Sequence, residues 1–101
     1  MPEFARLSTF DVAPGRADDA VAFFEGTDLR EASSTSGFRR GFWLLDRATG
    51  KGAELVVFDS RQTMSNSESE EQSARAQASA AGIAMADERI YEVVAEGRPP
   101  A

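Results

Sequence analysis

The chain contains 101 residues, enough for one domain with one core, and 42% of them are hydrophobic. Its net charge of −6 makes nucleic acid and anionic membrane poor partners, because both are bound through clustered lysine and arginine side chains. It contains no cysteine and no histidine, which excludes disulfides and the commonest metal ligands and general base, so we expect no metal and no cofactor.

The first half of the chain predicts a strand followed by a helix. Apolar residues alternate roughly from Phe4 to Val12, which is typical of a strand, and Ala13-Pro14-Gly15 favours a turn. Beyond Arg16 the apolar spacing becomes that of an amphipathic helix, which we expect to end between Gly26 and Leu29. Residues 30–36 are polar and rich in serine, and they are predicted to be a loop.

The middle of the chain predicts a hairpin, with strands from Phe38 to Leu45 and from Ala53 to Phe58 joined by a turn at residues 46–52. Alternation divides the apolar residues of the first of these strands between two faces: Phe38, Phe42 and Leu44 on one, Trp43 and Leu45 on the other. The run from Leu55 to Phe58 is apolar on both faces, so we expect both faces of the sheet to be covered.

The last part predicts a second helix and a fourth strand. Asp59-Ser60 can cap a helix from Arg61 to Ala81 that Gly82 ends, with a thin apolar stripe of Met64, Ala74, Ala78 and Ala81. A strand follows from Glu88 to Val94, and residues 96–101 are expected to be a frayed tail. The element order predicts an α+β fold: one ferredoxin-like βαββαβ domain over residues 1–101, with two helices on one face of a four-stranded antiparallel sheet.

The sequence also suggests where the protein is located. Met1 to Arg6 lack the basic and apolar regions of a signal peptide, and no apolar run approaches the roughly 20 residues of a membrane helix. We therefore expect a cytoplasmic protein that does not bind membranes.

Several short motifs resemble antibiotic-biosynthesis-monooxygenase-like domains of the dimeric α+β barrel superfamily, in their order and spacing. They are Val12-Ala13-Pro14-Gly15, Gly37-Phe38-Arg39-Arg40-Gly41, Leu44-Leu45-Asp46-Arg47, Thr49-Gly50-Lys51, Phe58-Asp59-Ser60 and Tyr91-Glu92-Val93. The resemblance spans nearly the whole chain. It implies a homodimer in which two sheets pack face to face, with ligands held between each sheet and its own helices.

Within this family, the haem-degrading members use an Asn, a Phe, a Trp and an iron-ligating His, which the spacing matches to Ser8, Phe24, Ser67 and Ala76. Only the Phe is present in this chain. Haem degradation by that mechanism is therefore not expected. The cofactor-independent, quinone-forming members use polar and aromatic pocket residues instead, and Arg6, Trp43 and Tyr91 are of those types.

Strand alternation, read with the resemblance, predicts a ligand pocket under the helices. Its expected lining is Arg6, Ser8 and Phe10 from the first strand, Trp43, Glu54 and Phe58 from the hairpin, Phe24 and Met64 from the helices, and Tyr91 from the last strand. Six of these residues also have a purely structural interpretation. Trp43, Phe24 and Phe58 can be core, Arg6 and Glu54 a salt bridge at a sheet margin, and Tyr91 a half-exposed strand residue. Glu68, Glu70 and Glu71 are predicted to form a solvated helix face.

Three functions stay open. The first is a cofactor-independent monooxygenase that binds a planar phenolic or quinone-like compound, with Arg6 or Tyr91 stabilising oxyanion charge. The second is a non-catalytic ligand-binding or stress-related accessory protein. The third is an isomerase, cyclase or lyase, chemistry that the superfamily also supports.

The face of the sheet away from the helices is expected to bind a second copy of the chain. We expect it to carry Phe38, Phe42, Leu44, Leu55 and Val57, an apolar surface of a size that monomers rarely expose. An isologous two-fold pairing of sheets would cover it and close the assembly.

Overall fold

The computed structural model describes residues 2–100. Its elements follow in the order β1 (Phe4–Val12), α1 (Ala17–Phe23), a π-helical turn (Phe24–Asp28), α2 (Leu29–Ser34), β2 (Phe38–Leu45), β3 (Lys51–Phe58), α3 (Arg61–Asn66), α4 (Glu68–Ala80) and β4 (Ile83–Glu92). The strands form one antiparallel sheet in the order β2-β3-β1-β4, with the helices on one face. The predicted α+β architecture is confirmed, and β1 and β2 have the predicted bounds.

The first helix is longer than predicted, because residues 29–34 continue it as α2 instead of forming a loop. The serines that suggested a loop donate hydrogen bonds back to carbonyl oxygens within the helix: Ser33 Oγ to Arg30 O at 3.2 Å and Ser34 Oγ to Glu31 O at 2.9 Å. Serine hydroxyls disfavour a helix when they bond to backbone groups in non-helical conformations. Here both hydroxyls bond within α2, so the serine-rich composition wrongly indicated a loop.

The π-helical turn keeps the inner side of this helix aligned. Leu29 N–H donates to Phe24 O, five residues earlier, which widens the turn. Ala20, Phe24 and Asp28 are all buried and are spaced by four residues. In a regular α-helix such a row drifts by about 40° per step, since a turn takes 3.6 residues. The wider turn offsets that drift, so Asp28 still faces the sheet.

The second helix is divided at Ser67 into α3 and α4. As predicted, Ser60 caps it: its Oγ accepts from Thr63 N at 3.1 Å. Gly82 follows α4 with φ +84°, a conformation that favours glycine and ends the helix. Within residues 2–100, no helix is long and apolar enough to cross a membrane.

Strand β4 begins five residues earlier than predicted, at Ile83, and ends at Glu92. Residues 83–87 were not predicted to be strand because polar residues and alanines interrupt the alternation of apolar and polar positions there. A bulge opposite Thr9 and Phe10 shifts the register there, and it keeps Met85 and Ile83 opposite the buried Phe10 and Val12.

A bulge in β2 turns Phe38 to the other face of the sheet, so the predicted faces of the hairpin were wrong at that residue. The register slips between Phe38 and Arg40, so Phe38 lies opposite Phe58 and packs with the core on the helix side. Phe42 and Leu44 remain on the open face, where they are 51% and 56% exposed. Phe38 therefore does not belong to the surface expected to bind a second copy.

The chain beyond β4 passes one end of the open face. Val93 N donates to Glu3 O at 2.8 Å, and Glu96 pairs with Arg40. Residues 93–100 have no regular secondary structure, yet Val93 and residues 95–99 line a cleft on this face together with Phe42, Leu55 and Val57. Val57 is buried within the single chain, whereas Phe42 and Leu44 are not.

Gly52, in the hairpin, is closely packed, whereas Gly26, in the π-helical turn, is not, and substituting each residue tests this difference. A Cβ at Gly52 would lie 2.4 Å from the Phe10 ring and 2.5 Å from Leu44 O, whereas a Cβ at Gly26 meets nothing within 4 Å. We expect Gly52→Ala to lower the free energy of unfolding by about 1–3 kcal/mol. Gly26→Ala should leave it unchanged or raise it by up to about 1 kcal/mol. Urea unfolding of both variants measures the difference, and equal midpoints would contradict the packing.

Candidate functional site

A row of polar side chains crosses the helix-facing side of the sheet. Directly opposed residues of neighbouring strands share a face, and the register places Trp43 opposite Glu54, Glu54 opposite Ser8, and Ser8 opposite Glu88. Arg6 lies on the same face, two residues from Ser8 along β1. A sheet of this size normally buries apolar side chains under its helices, so this row marks the candidate site.

Arg6 is the most heavily bonded residue of the row and is only 3% exposed. Its guanidinium donates to Glu71 Oε2 at 3.3 Å, to Ser67 Oγ at 3.2 Å and to Met64 O at 3.2 Å. Glu88 approaches its Nε at 3.9 Å, and the Phe58 ring lies beneath it at 5.7 Å. A charge buried this deeply requires such partners, because leaving it unpaired would cost several kcal/mol.

Glu71 was predicted to lie on a solvated face together with Glu68 and Glu70, and that prediction was wrong for Glu71. Glu68 and Glu70 are exposed, but Glu71 points inward to Arg6. The signal was present in the spacing: the inner stripe of the second helix is Met64, Ser67, Glu71, Ala74 and Ala78. Burial raises the pKa of Glu71, although the nearby Arg6 charge opposes that shift.

Asp28 and Glu54 form a second polar centre beside Arg6. The indole Nε1 of Trp43 donates to Asp28 Oδ2 at 2.9 Å, and Trp43 lies opposite Glu54 in the sheet. Glu54 is 5% exposed. Burial, followed by the charge and hydrogen bond of Asp28, raises the pKa of Glu54 to about 9. The expected Arg6–Glu54 pair is not formed, because Arg6 turns to Glu71 and Glu88.

Ser8 lies between the two polar centres. It is fully buried, and its Oγ has no hydrogen-bond partner within residues 2–100. Burying a hydroxyl without a hydrogen-bond partner costs about 1–3 kcal/mol, so a hydrogen bond from a water or a ligand atom to Ser8 Oγ would be favourable.

Two adjoining cavities lie between the sheet and the helices, and Asp28, Glu54, Glu71 and Ala74 line both. We call them together the sheet–helix cavity. The first, of about 20 Å³, is also lined by Arg6 and Phe58, and the second, of about 10 Å³, by Phe23, Phe24 and Met85. Such volumes hold about one water each. The cavity therefore has the polar groups of a binding site but, in this state, room only for water.

The predicted pocket residues divide into three groups. Arg6, Phe24, Glu54 and Phe58 line the sheet–helix cavity. Ser8, Phe10, Trp43 and Met64 lie on the same side of the sheet, Phe10 and Met64 as parts of the two core clusters and Trp43 packed against both. Tyr91 lies on the opposite face. It pairs with Ala5, the neighbour of Arg6, so alternation turns its ring away from the helices.

Asp28 is the site residue that sequence analysis missed. It fell at the expected end of the first helix, and only its four-residue spacing from Ala20 and Phe24 could have indicated an inward position. Of the positions matched to haem-degrading proteins, Ser8, Phe24 and Ser67 face inward, whereas Ala76 is exposed on the outer side of α4. Within residues 2–100, no three His, Cys, Asp or Glu side chains are grouped to hold a metal ion.

Comparison with solved structures finds this fold in proteins of low sequence identity. SnoaB of Streptomyces nogalater, a cofactor-independent oxygenase, has a TM-score of 0.74 at 16% identity, with 100% of each chain covered. A monooxygenase of Streptomyces coelicolor in complex with nanaomycin D has a TM-score of 0.69 at 14% identity, covering 99% of this chain and 93% of the other. A Chloroflexus aurantiacus protein assigned as an antibiotic biosynthesis monooxygenase has 0.71 at 20% identity, covering 95% and 97%.

The sequence itself matches no protein-family profile and no curated protein. The structural likeness therefore establishes the fold. The chain has the fold of antibiotic-biosynthesis-monooxygenase-like domains, as the resemblance in its motifs implied.

The raised pKa of Glu54 predicts a dependence of stability on pH. The folded state keeps a proton that the unfolded state releases above the ordinary value of 4.5, so the free energy of unfolding falls as pH rises from 4.5 to about 9. One proton contributes at most about 1.4 kcal/mol per pH unit. Glu54→Gln should flatten this decline and stabilise the protein at neutral pH, as measured by urea unfolding across the range.

Glu68→Gln, which changes an exposed carboxylate of α4, is the matched control and should keep the slope of the unaltered protein. Because the raised pKa of Glu71 acts in the same direction, a residual decline in Glu54→Gln is expected. Identical slopes for Glu54→Gln and the control would contradict the assignment.

Proposed function

We propose that the protein binds a planar phenolic or quinone-like compound between its sheet and helices and oxidises it with dioxygen, without a cofactor. The observation that carries the proposal is the buried guanidinium of Arg6 at the wall of a cavity that is also lined by Glu54 and the Phe58 ring. Among proteins of this fold, SnoaB is a cofactor-independent oxygenase, and another was solved with nanaomycin D.

The proposed reaction requires the protein mainly to exclude water from the substrate and to place a positive charge near it. A phenol that loses its proton becomes an electron-rich anion able to reduce dioxygen, and Arg6 stabilises the negative charge that develops on the ligand oxygen. In the overall reaction one oxygen atom becomes a new carbonyl of the product. The other leaves as water with the two hydrogens that the substrate loses. In a dry cavity the guanidinium acts more strongly than it would in water.

Ligand binding requires the cavity to widen. Helix α4 rests on the sheet side through Ala74 and Ala78, and these short side chains interlock little with their neighbours. An outward shift of α4 breaks few apolar contacts, whereas the ion pairs between Arg6 and Glu71 and between Arg75 and Glu88 must lengthen or exchange for ligand contacts.

A second candidate function is ligand binding without turnover. It is supported by the pairing of Arg6 within the chain, since its guanidinium bonds to a carboxylate, a hydroxyl and a backbone oxygen of the protein itself. A guanidinium so well occupied can hold a pocket together without acting on a substrate.

Oxygen uptake with a panel of hydroxylated naphthalenes and anthrones tests the first function. We expect saturable uptake, and we expect Arg6→Lys to lower the rate at least tenfold, because a lysine keeps the charge but loses the fork that bonds two groups at once. Arg30→Lys, at an exposed position of α2, is the control and should keep the rate. Saturable binding without oxygen uptake would favour the second function, and no binding at all would reject both.

We also propose that the open face of the sheet pairs with a second copy of the chain. It exposes Phe42, Leu44 and Tyr91, which are about half accessible, beside the partly covered Leu7 and Leu55. Burying each large side chain contributes about 1.5–3 kcal/mol. A two-fold pairing would place identical patches against each other and leave no further patch for growth.

A charge on this face tests the dimer. Leu44→Asp should weaken association at least a hundredfold, measured by sedimentation over a concentration series, because the carboxylate would be buried against an apolar partner. Val57 is a poor choice, since it is buried within the single chain and its replacement would unfold the protein in any case. Leu29→Asp, at a similarly exposed position of α2, is the control. A stably folded monomer of the unaltered protein at micromolar concentration would defeat the proposal.

A further inference from the structure

We propose that Glu54 is the neutral acid of the sheet–helix cavity, a residue that donates its proton to an oxygen atom of the bound molecule. Asp28 is the positioning residue that keeps Glu54 in this state. The substrate and the step rest on the proposed oxygenase function, whereas the protonation of Glu54 is a property of the ligand-free protein and can be tested by itself.

The geometry of three side chains carries this inference. Asp28 and Glu54 are 8% and 5% exposed, and both line the two parts of the cavity. Burial and the negative charge of Asp28 both disfavour the ionised form of Glu54 in such a space, so Glu54 keeps its proton. The indole N–H of Trp43 can only donate, and it donates to Asp28 at 2.9 Å. Trp43 also acts on Glu54 and lowers its pKa, but burial and the charge of Asp28 outweigh that effect, so the proton stays on Glu54.

The charged groups around the pair act in the same direction or are already occupied. They line the cavity or pair with a residue that does: Arg6 from β1, Asp28 from the π-helical turn, Glu31 from α2, Glu70, Glu71 and Arg75 from α4, and Glu88 from β4. The negative charge of Glu71 adds to that of Asp28 in raising the pKa of Glu54. The positive charges of Arg6 and Arg75 are paired with Glu71 and Glu88, so neither is free to draw the proton from Glu54.

A neutral acid at this place suits the last step of the proposed oxidation. When dioxygen has added to a substrate carbon that still bears hydrogen, the O–O bond must break. The outer oxygen already carries the proton that the phenol released, as a hydroperoxide O–H. Glu54 gives this oxygen a second proton, so that it leaves as water when the O–O bond breaks. The C–H bond breaks as the carbonyl forms, and its proton returns to the Glu54 carboxylate. Atoms and charge balance, and the acid is restored for the next turnover. Arg6 meanwhile stabilises the oxygen that stays on carbon.

The single tryptophan makes the proton on Glu54 observable. Trp43 is the only tryptophan of the chain and is bonded to the Asp28–Glu54 pair, so its emission should change when Glu54 ionises. We expect a fluorescence transition in the ligand-free protein at alkaline pH, far above the ordinary carboxyl value. Glu54→Gln should abolish it. Asp28→Asn should move its midpoint down by at least one pH unit, a tenfold loss of proton affinity, because the neighbouring negative charge is gone.

Three controls make the titration specific. All variants carry Tyr91→Phe, because an ionised tyrosine quenches tryptophan emission. Glu68→Gln should leave the midpoint unchanged. The infrared C=O stretch of a protonated carboxyl group should be present at neutral pH and should be lost in Glu54→Gln but not in Asp28→Asn. This second measurement does not depend on tryptophan emission.

The outcomes separate the inference from the function on which it rests. A transition at the ordinary carboxyl value, or a neutral-pH infrared band that Glu54→Gln retains, would overturn the assignment of the proton. If the proton is on Glu54 and oxygen uptake is seen, Glu54→Gln should lower kcat at least tenfold with little change in KM, and an unchanged kcat would overturn its role as the acid. An alkaline transition without any oxygen uptake would support the protonated Glu54 and reject the oxygenase.

Discussion

The buried guanidinium of Arg6 is the interaction on which the inner layer of this protein depends. Its position on the central strand β1 means that a charge must be satisfied in the middle of the fold, and helix α4 supplies the partner through Glu71 while β4 supplies Glu88. Because Arg6 is paired with those carboxylates, burial and the negative charge of Asp28 raise the pKa of Glu54.

This arrangement also explains why the helical layer contains so little apolar bulk. Between Met64 and Ala74 the inner stripe of the second helix is polar, with Ser67 and Glu71 bonded to Arg6. The helix is held there by directed bonds more than by interlocking side chains. Ion pairs of this kind tolerate small displacements that a close-packed hydrophobic contact does not, so the layer has a specific position and can still accommodate a small shift of α4.

Sequence reasoning predicted most of the fold because the signals it uses are local. Alternation identified β1 and β2, and Ser60 and Gly82 marked the ends of the second helix. It was wrong where tertiary contacts decide. The serines of α2 bond within their helix, β4 begins among residues without alternation, and a bulge turns Phe38 to the other face. None of these features has a local pattern that distinguishes it.

The candidate site shows the same division. Arg6, Ser8 and Glu54 were placed correctly on the helix-facing side by alternation, but their partners were not, since a sheet position does not reveal which helix residue will reach it. Tyr91 was assigned to the wrong face of the sheet because the register of β4 was not known from the sequence. Asp28 depended on a widened helical turn, and Glu71 was obscured by two exposed glutamates beside it.

The alanines of α4 have a consequence for how such a site can diversify. Ala74 lines the cavity without contributing a charge or a hydrogen bond, and Ala78 lines its apolar part. Replacing either alanine with a larger or smaller side chain would change the volume of the sheet–helix cavity without replacing Arg6, Asp28 or Glu54. For the proposed ligand, Ala74 and Ala78 would therefore set the size that the cavity accepts, and Arg6, Asp28 and Glu54 would set the chemistry, so that mutation could change one without the other.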